Sequence, residues 1–386
     1  MRRLYNFLSL LLVFIILEYS HAQIFEYPQI YKDPRIMGMG GVNIALGGYN
    51  TSVLYNPASI SLNEKNRYIV DMFRFNLSYD KDGIKFFNDI QDAISVGDRN
   101  KNGYVEDDRL TEVLSVLNKY NGKTAHAGWD AVVAISRTGG DVAYSFGLLV
   151  STKYTAKIYK YSHTEGVVNI YFDNYITPFA GMSFNFFQKS LSVAFLWKYV
   201  FRRSTYDNVS AREIAYKGHE IDSYIIDDLG DEGRSHVFDL GVLYKIPFLQ
   251  VLKLTLGMSI QNVGNPKLGE LGKYPQTINV GIGANPVIKG FRGLKLGIDF
   301  FDITKNINID KNNGKRIRAG MELKVIDNPV LNFTVRTGIY QGYITGGIEA
   351  RLAVISFIFT TYAEELGVYP GQDKDRRYIL SAGLSW

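Results

Sequence analysis

Residues 252–261, which read LKLTLGMSIQ, decide the fold, because every second side chain is apolar and the side chains between are polar or glycine. The same alternation occurs at 294–300 (LKLGIDF), 317–324 (IRAGMELK) and 331–336 (LNFTVR). A β-strand turns successive side chains to opposite faces, so each segment predicts a strand with one wholly apolar face.

Two architectures use such strands. A soluble sandwich buries the apolar faces against each other, whereas a membrane barrel turns them to lipid and keeps the charged faces in a wet lumen. Many of the alternating runs are about 10 residues or longer, which matches the ~9–11 residues that a tilted strand needs to cross a membrane. Sandwich strands are typically ~5–6 residues long. We therefore predict an all-β fold, a closed antiparallel transmembrane β-barrel.

The chain from residue 66 to its end divides into about 14 candidate strands, an even number as in bacterial barrels. They are predicted at 66–78, 124–136, 140–156, 166–186, 189–203, 235–245, 251–261, 275–285, 292–302, 315–325, 330–339, 342–350, 352–362 and 377–386. Connections alternate between short turns and mostly long polar loops; only Gln341-Gly342 breaks the pattern. This asymmetry is typical of a membrane barrel with the short turns in the periplasm, where we expect both chain ends.

The composition agrees with a barrel. The 386 residues include 27 Tyr, 23 Phe and 37 Gly, which favour strands, membrane interfaces and tight turns. Mean hydropathy is only −0.07, and no run of 18 or more apolar residues follows the first 20, which excludes a polytopic helical membrane protein. The absence of cysteine excludes disulfide scaffolds, thiolate zinc sites and cysteine nucleophiles.

The first 22 residues predict a cleavable secretory signal. Arg2 and Arg3 precede an apolar core at 7–17, and cleavage is expected after Ala22. The core has 11 residues and is too short to span a ~30 Å bilayer. Cleavage removes two arginines and one glutamate, so the net charge falls from +5 to +4, too weak a balance to predict nucleic-acid binding.

The last predicted strand carries a candidate assembly signal. One apolar face is formed by Tyr378, Leu380, Ala382, Leu384 and Trp386, on which the chain ends. An amphipathic ring is favoured at a membrane interface. The pattern resembles the C-terminal signal that the barrel-assembly machinery recognises in outer-membrane proteins. It implies that machinery as a partner and the outer membrane of a Gram-negative-type bacterium as the location.

Residues 23–65 do not alternate and predict a small hatch inside the barrel, which is expected at 66–386. They contain DPRIMGMGG at 33–41, VNIALGG at 42–48 and LYNPASI at 54–60. A hatch packed closely against the wall favours glycine, and Asn-Pro is a turn signal. A nucleotide-binding loop is excluded, since the third glycine is missing. The hatch motif residues are Gly38, Gly40, Gly41, Asn56, Pro57 and Ala58.

This combination resembles the hatch of the FadL-type outer-membrane transporter superfamily, with its R-x-M-G-M-G-G segment and Y-N-P-A turn. PorV-like proteins and the TraF-like conjugal-transfer branch look closest, because YAEELG at 362–367, PGQ at 370–372 and DRRY at 375–378 are similar to the TraF-like branch. The resemblance implies passive transport of small hydrophobic molecules, with a hydrophobic ligand and outer-membrane lipid as partners. The alternative is a non-enzymatic component or scaffold of a secretion or conjugal-transfer apparatus, in contact with its proteins. An apolar tunnel past 38–48 would favour transport, and a sealed lumen the partner role.

A calcium-like loop lies within a helix–loop–helix predicted at 80–121, between the first two strands. It reproduces positions 1, 3, 5 and 6 of an EF-hand loop, with Gly103 at the sharp turn. The candidate ligands are Asp98, Asn100, Asn102, Tyr104 and Glu106. Arg109 stands where that loop has a bidentate glutamate, so a plain Asn-Gly turn between two surface helices is the alternative. Calcium is the one cofactor that the sequence predicts.

Catalysis finds no support, and we predict that the chain is not an enzyme. The four histidines after the signal, His126, His163, His219 and His236, are isolated and lie in no catalytic motif. The acidic loop at about 204–234 predicts a solvated, flexible cap, with a second cation site or contact with ion-bridged lipopolysaccharide as the alternative. Charges predicted to form an internal salt-bridge network, rather than a substrate path, are Lys253, Asp299, Arg318, Glu322 and Arg336.

Overall fold

The structure is a computed structural model that describes residues 26, 29–62, 67–99, 105–138, 140–159, 166–248, 251–288, 293–307 and 312–386. It contains one closed antiparallel barrel of fourteen strands, in which each strand pairs with its neighbours in sequence and the last pairs with the first. The predicted signal at 1–22 lies outside the described residues.

The fourteen strands correspond one to one with the segments predicted from the sequence, so the fold class and the strand count are confirmed. Their bounds are β1 (Arg67–Asp80), β2 (Thr124–Thr138), β3 (Val142–Tyr159), β4 (Val167–Phe186), β5 (Leu191–Ser210), β6 (Asp231–Lys245), β7 (Leu254–Gln261), β8 (Thr277–Ala284), β9 (Lys295–Phe300), β10 (Ile317–Asp327), β11 (Leu331–Tyr340), β12 (Tyr343–Leu352), β13 (Ile355–Glu365) and β14 (Lys374–Ser385).

The alternation places apolar side chains on the outside of the barrel. On β7, Thr255 and Ser259 are buried in the interior, whereas Leu256 and Met258 are 40% and 39% exposed on the outer surface. A soluble sandwich would bury the apolar set instead. The barrel therefore has an apolar outer belt around a largely polar interior, as predicted for a membrane barrel.

The two ends of the barrel differ as the sequence predicts. At one end, called the turn end, the connections β2–β3, β4–β5, β6–β7, β8–β9, β10–β11 and β12–β13 have 2–10 residues. At the other, called the loop end, four of the seven connections have 15–43 residues, whereas β3–β4, β11–β12 and β13–β14 are joined by 7, 2 and 8 residues. The asymmetry therefore holds for the four long connections, and β3–β4 and β13–β14 are exceptions besides the β11–β12 turn. None of the helices in the described residues is long and apolar enough to cross a membrane.

The hatch fills the barrel interior between the two ends. It contains helix α1 (Pro34–Gly38) and two 3₁₀ helices, Asn50–Leu54 and Pro57–Leu62. The Asp33 side chain caps α1 by accepting from the backbone N–H of Arg35, and a proline at the first helical position suits an N-terminus. The 3₁₀ helices lead toward β1 at the turn end.

A helical cap covers part of the loop end. The β1–β2 connection contains α2 (Gly83–Arg99) and α3 (Val105–Lys119), and the β5–β6 connection contains α4 (Ala211–Lys217) and short turns up to residue 228. Side chains of both connections share one apolar cluster with the tops of β2–β5. The apolar side chains of the β5–β6 segment are therefore packed in the cap, whereas the acidic side chains that predicted a solvated cap are exposed.

The structure corrects two further expectations. Glu26 lies in the loop half of the barrel, where its carboxylate accepts from Arg377 at 3.0 Å, so the hatch does not start at the turn end. Arg377 pairs with Asp80, the last residue of β1, which fixes that position along the barrel. Lys253 lies exposed in the β6–β7 turn and is not an interior charge.

Candidate functional site

Glycines on the barrel wall lie in close contact with the backbone of the hatch. A Cβ atom on Gly257 would lie 2.3 Å from the carbonyl oxygen of Ile44, and one on Gly320 would lie 2.0 Å from that of Met39. No side chain fits at such distances, so these strand glycines are required by the close approach of the hatch. The contact runs along the β6–β12 side of the wall.

The hatch motif forms the other half of this contact. Gly40 has a φ of +70° and a Cβ there would lie 2.5 Å from the carbonyl oxygen of Ala319, so both conformation and space demand glycine. Gly41 has a φ of +76°. Thr345 on β12 donates to the Gly38 carbonyl at 3.0 Å and accepts from the Gly40 N–H at 2.9 Å.

The Asn56-Pro57-Ala58 turn connects two parts of the hatch with the wall. The Asn56 amide donates to the Ile44 carbonyl at 2.7 Å, and its side-chain oxygen accepts from the Ala58 N–H at 3.1 Å. A Cβ atom on Gly241 of β6 would lie 2.2 Å from that same oxygen. The motif residues thus position the hatch and are not directed at an open ligand site.

A buried charge network holds the hatch to β9–β12. Arg336 donates to Glu322 at 2.7 Å and to Glu349 at 2.5 Å, and Lys295 lies 3.2 Å from Glu322. The hatch residue Tyr49 donates its hydroxyl to Glu322 and accepts from Arg336. Glu322 and Arg336 therefore belong to the predicted internal network. Asp299 and Arg318 instead contact the hatch backbone, at Asn43 and Gly41 respectively.

A second charged contact lies within the hatch and on β1. Arg35 donates to the Asp33 carboxylate at 2.8 Å and lies 3.7 Å from Asp71, which pairs with Arg74. Burial alone would raise the pKa of Asp33, but the Arg35 guanidinium and its hydrogen bond hold that pKa below its usual range. The carboxylate stays ionised, and the pair remains an ion pair inside the barrel.

Two neighbouring carboxylates in the segment 362–367 have separate structural roles. Glu364 forms an ion pair with Lys32 of the hatch at 2.5 Å. Glu365 accepts the backbone N–H groups of Gly367, Gly371, Gln372 and Asp373, together with the Tyr343 hydroxyl, at 2.6–2.9 Å. One glutamate thus seats the hatch and the other orders the β13–β14 loop.

An apolar seam lies on the opposite side of the hatch, against β2–β6. It consists of the hatch residues Ile30, Tyr31, Val53 and Ile60 with the wall residues Val132, Ala134, Ala143, Leu149, Tyr175, Phe179, Leu196, Val200 and Val237, joined at the loop end by Leu268 and Tyr274. These side chains form one contiguous cluster from the loop end, at Tyr274, to the turn end, at Ala143. The interior therefore has a charged half and an apolar half.

A small pocket opens at the loop end of this seam. Its volume is about 40 Å³, room for a few water molecules, and it lies between the hatch and β5–β9. Ile30, Tyr31 and Tyr274 line it together with the Lys198 ammonium, which pairs with Asp239 at 2.7 Å. The apolar path is thus closed, and it runs along 30–60 on the β2–β6 side and not past the glycines at 38–48.

The calcium-like loop lies only partly within the described residues. Asp98 is in the last turn of α2 and Glu106 in the first turn of α3, whereas Asn100, Asn102 and Tyr104 lie outside them. Arg109 Nε donates to the Ile94 carbonyl at 2.9 Å. Within the described residues, no group of three or more His, Asp or Glu side chains could hold a metal ion.

The other candidate residues have local structural partners. His126 is buried between Thr155 and Ser78, at 2.9 and 3.1 Å, and His236 accepts from Trp197 at 3.0 Å. The acidic residues of the β5–β6 segment are exposed, and three of them pair with basic neighbours: Asp227 and Glu232 with Arg203, and Asp228 with Lys217. His163 lies outside the described residues.

Comparison with known proteins shows the fold. No family model and no curated protein matches the sequence. Among solved structures, a deltaS2 mutant of the TodX monoaromatic hydrocarbon channel has a TM-score of 0.55 at 10% identity, covering 93% of this chain and 99% of that chain. The Ralstonia pickettii toluene transporter TbuX has a TM-score of 0.53 at 12% identity, covering 94% and 100%. The Pseudomonas putida toluene transporter TodX has 0.50 at 10%, covering 94% and 98%.

Proposed function

We propose that this protein is an outer-membrane barrel that passes small hydrophobic molecules along the apolar seam. The apolar seam carries the proposal, because it is a contiguous apolar contact between the two ends of the barrel. Support also comes from the shared fold with proteins described as a monoaromatic hydrocarbon channel and as toluene transporters. The short turns would face the periplasm and the helical cap the exterior.

The charged half of the interior is unsuited to an apolar solute. Passage there would separate Arg336 from Glu322 and leave buried charges unpaired, which costs several kcal/mol. In the seam, contacts between the hatch and the wall are replaced by apolar contacts with the solute, so the free-energy cost of transfer is small. The route is selective for apolar molecules because its walls offer few partners to a polar one.

We propose that an entering solute displaces the start of the hatch, residues 29–31, before any other part of it. Asn76 donates to the Tyr31 hydroxyl at 3.1 Å, and Tyr55 of the hatch donates to the Tyr31 carbonyl at 3.1 Å. Lys153 donates to the Gln29 and Ile30 carbonyls at 3.1 and 3.4 Å, so only two wall residues among those described hold this segment by hydrogen bonds. The glycine-rich part has many more attachments on the wall, among them those of Thr345 and Asp299. A solute entering at the pocket would therefore displace Ile30 and Tyr31 and leave the glycine-rich part in place.

A tether between hatch and wall tests this route. Ser61 of the hatch and Ser183 of β4 lie with their hydroxyl oxygens 2.7 Å apart near the turn end of the seam. The chain has no cysteine, so Ser61→Cys with Ser183→Cys would form one defined disulfide. We expect uptake of radiolabelled toluene by producing cells to fall at least tenfold on oxidation and to recover on reduction.

A matched control joins two wall strands instead. Ser136 on β2 and Ser145 on β3 have their hydroxyl oxygens 2.8 Å apart, and a disulfide there leaves the hatch free. Uptake should stay unchanged in that variant. Equal inhibition by both disulfides would contradict the seam route, and cells without a gain in toluene uptake over cells lacking the protein would contradict transport itself.

A second candidate function is a non-enzymatic scaffold of a secretion or conjugal-transfer apparatus. It is favoured by the closed apolar path, since a sealed lumen is the outcome expected of a partner role. It is also favoured by the β13–β14 loop, whose backbone N–H groups donate to Glu365 while Tyr369 is 61% exposed at its tip. An ordered loop with an exposed aromatic is suited to binding a protein partner. Affinity capture with the native chain and with Tyr369→Ser tests it: a partner lost only from Tyr369→Ser supports this role.

A further inference from the structure

The outer surface of β11–β14 and β1 carries a groove at mid-height of the barrel. The cross-strand register places Phe333 beside Ala350, Ala350 beside Phe357, Phe357 beside Ala382, and Ala382 beside Phe75. Bulky and small side chains therefore alternate in one row around the wall. We call the resulting concavity, of about 350 Å³, the Phe–Ala groove.

The groove is bounded above by a second row of apolar side chains. Ile348, Phe359, Leu380 and Leu77 occupy the next outward positions toward the loop end. Above them, the Tyr378 ring stacks on Phe359 at 6.2 Å. The whole concavity is apolar and faces outward, away from the seam and the hatch.

Two cations stand above this groove on the same outward face of β14. Arg376 donates to the Ile344 carbonyl at 2.8 Å, and the Lys374 ammonium lies 5.4 Å from the Tyr343 ring centre. Among the ion pairs between described residues, none includes Arg376 or Lys374. Their charge is thus available to an anion at the surface of the membrane.

The positions of the two cations and of the groove along the barrel axis match the dimensions of a lipid in the outer leaflet. Arg376 stands ten residues from Trp386, and at ~3.3 Å per residue with a tilt of ~40° this is ~25 Å, the height of the apolar band of a membrane barrel. Ala382 lies six residues below Arg376, or ~15 Å in depth, about half of the ~30 Å hydrocarbon core. An acyl chain anchored at Arg376 would therefore reach the groove.

We propose that this face binds one molecule of lipid A, the phosphorylated anchor of lipopolysaccharide, with an acyl chain in the Phe–Ala groove and a phosphate at Arg376 and Lys374. The inference rests on the proposed outer-membrane location and is independent of transport through the seam. The guanidinium supplies paired donors to phosphate oxygens, and the neighbouring ammonium adds a second charge. The aromatic walls hold the chain laterally by dispersion contacts.

The test is a titration of detergent-purified, delipidated full-length protein, read out by native mass spectrometry. Lipid A should bind with one-to-one stoichiometry and more tightly than phosphatidylglycerol, and diacylglycerol should not bind measurably. Arg376→Gln with Lys374→Gln should weaken lipid A binding about thirtyfold, since each cation near the membrane surface contributes about 1 kcal/mol. Lys267→Gln with Lys273→Gln, two exposed loop-end cations between β7 and β8, is the matched control and should change nothing.

Filling the groove provides the second arm. Ala350→Phe with Ala382→Phe should weaken binding more than tenfold, whereas Ala284→Phe on the outer face of β8 should leave it unchanged. Every variant is first checked for a folded barrel by its migration before boiling, and Ala382→Leu is the milder substitution if the double variant fails. Equal binding of phosphatidylglycerol would overturn the assignment to lipid A. Unchanged binding after both the charge removal and the filling would overturn the site, while toluene uptake in the same variants should stay normal.

Discussion

Asp299 on the wall and Asn43 on the hatch are joined by a hydrogen bond of 2.7 Å, which the backbone N–H of Asn43 donates to the Asp299 carboxylate. The same oxygen accepts from the N–H of Ile44 at 2.9 Å. Asp299→Ala would leave both buried N–H groups unpaired and destabilise the seated hatch by about 1–3 kcal/mol for each. We expect faster hydrogen exchange at residues 36–48 with the strands unchanged. Asp299→Asn, which keeps an acceptor, is the control, and equal exchange in both variants would contradict the role.

The closed wall predicts heat-modifiable migration. Every strand is paired on both sides, so the barrel has no edge at which detergent can begin to separate the strands. Unboiled protein in dodecyl sulfate should run as a compact band that shifts on boiling. Recovery of the protein in a soluble periplasmic fraction without detergent would contradict the membrane interpretation.

Deletion of Trp386 should impair assembly and leave export intact. Trp386 exchanges two backbone hydrogen bonds with Val70 of β1, at 2.9 and 3.1 Å, at the end of the ladder that closes the barrel. Its ring is 53% exposed on the outside, in line with the apolar face of β14. The deletion removes both contributions, so outer-membrane levels should drop severalfold in a fractionation assay. Trp386→Phe, which keeps the backbone hydrogen bonds and an aromatic ring, should assemble normally. Normal outer-membrane levels of the truncated chain would show that Trp386 is not needed for assembly.

The calcium-like loop predicts a cation-dependent gain in protease resistance. Calcium at about 1 mM over a site of ~0.1 mM affinity stabilises the loop by about 1.4 kcal/mol, which suppresses local opening about tenfold. Asp98→Ala should abolish this protection between α2 and α3. Because Arg109 binds the Ile94 carbonyl, Arg109→Glu is compared with Arg109→Gln, so that the added carboxylate is tested separately from the lost contact. If the cleavage rate is the same with calcium, with chelator and in both variants, the loop binds no calcium and is only a turn between two helices.

The Asp33–Arg35 pair predicts how the hatch responds to acid. The pKa of Asp33 is lower in the folded chain than in the unfolded one, so its contribution is complete above the unfolded value of about 3.9 and is lost as the pH falls through the folded value. The difference in proteolytic protection of the hatch between the native chain and Asp33→Asn isolates this contribution. That difference should be constant between about pH 8 and 5 and should shrink only in stronger acid; a difference that already declines near pH 6 would contradict the prediction.

The strands of the wall could be predicted because the alternation that defines each strand lies within its own sequence. In β7 the alternation of Leu256 and Met258 with Thr255 and Ser259 specifies a face for each side chain without knowledge of any partner strand. The helix pair at 83–119 was predictable for the same reason, since its periodicity is contained in its own sequence.

The arrangement of the interior was not predictable, because it depends on contacts between distant segments. Glu26 meets Arg377 across 351 positions, and nothing near Glu26 reveals that the hatch begins in the loop half. The apolar seam did leave a signal: residues 193–197, VAFLW, are apolar on both faces, which a strand with a wet lumen face would not be. Lys253 was assigned inward by extending the alternation one residue beyond the start of β7.

The interlocking of hatch and wall constrains the order of events in biogenesis. Gly40 fits against backbone from β10 and β11, and Gly320 and Gly338 leave no space for more than the hatch backbone. If the barrel closed first, the folded hatch would have to enter an interior whose backbone already fits closely around it. The hatch precedes β1 in the chain, so each strand can be laid against it in turn. We therefore expect the hatch to act as the template on which the barrel closes, so that a chain lacking residues 23–65 accumulates as an unclosed sheet even though every strand is present.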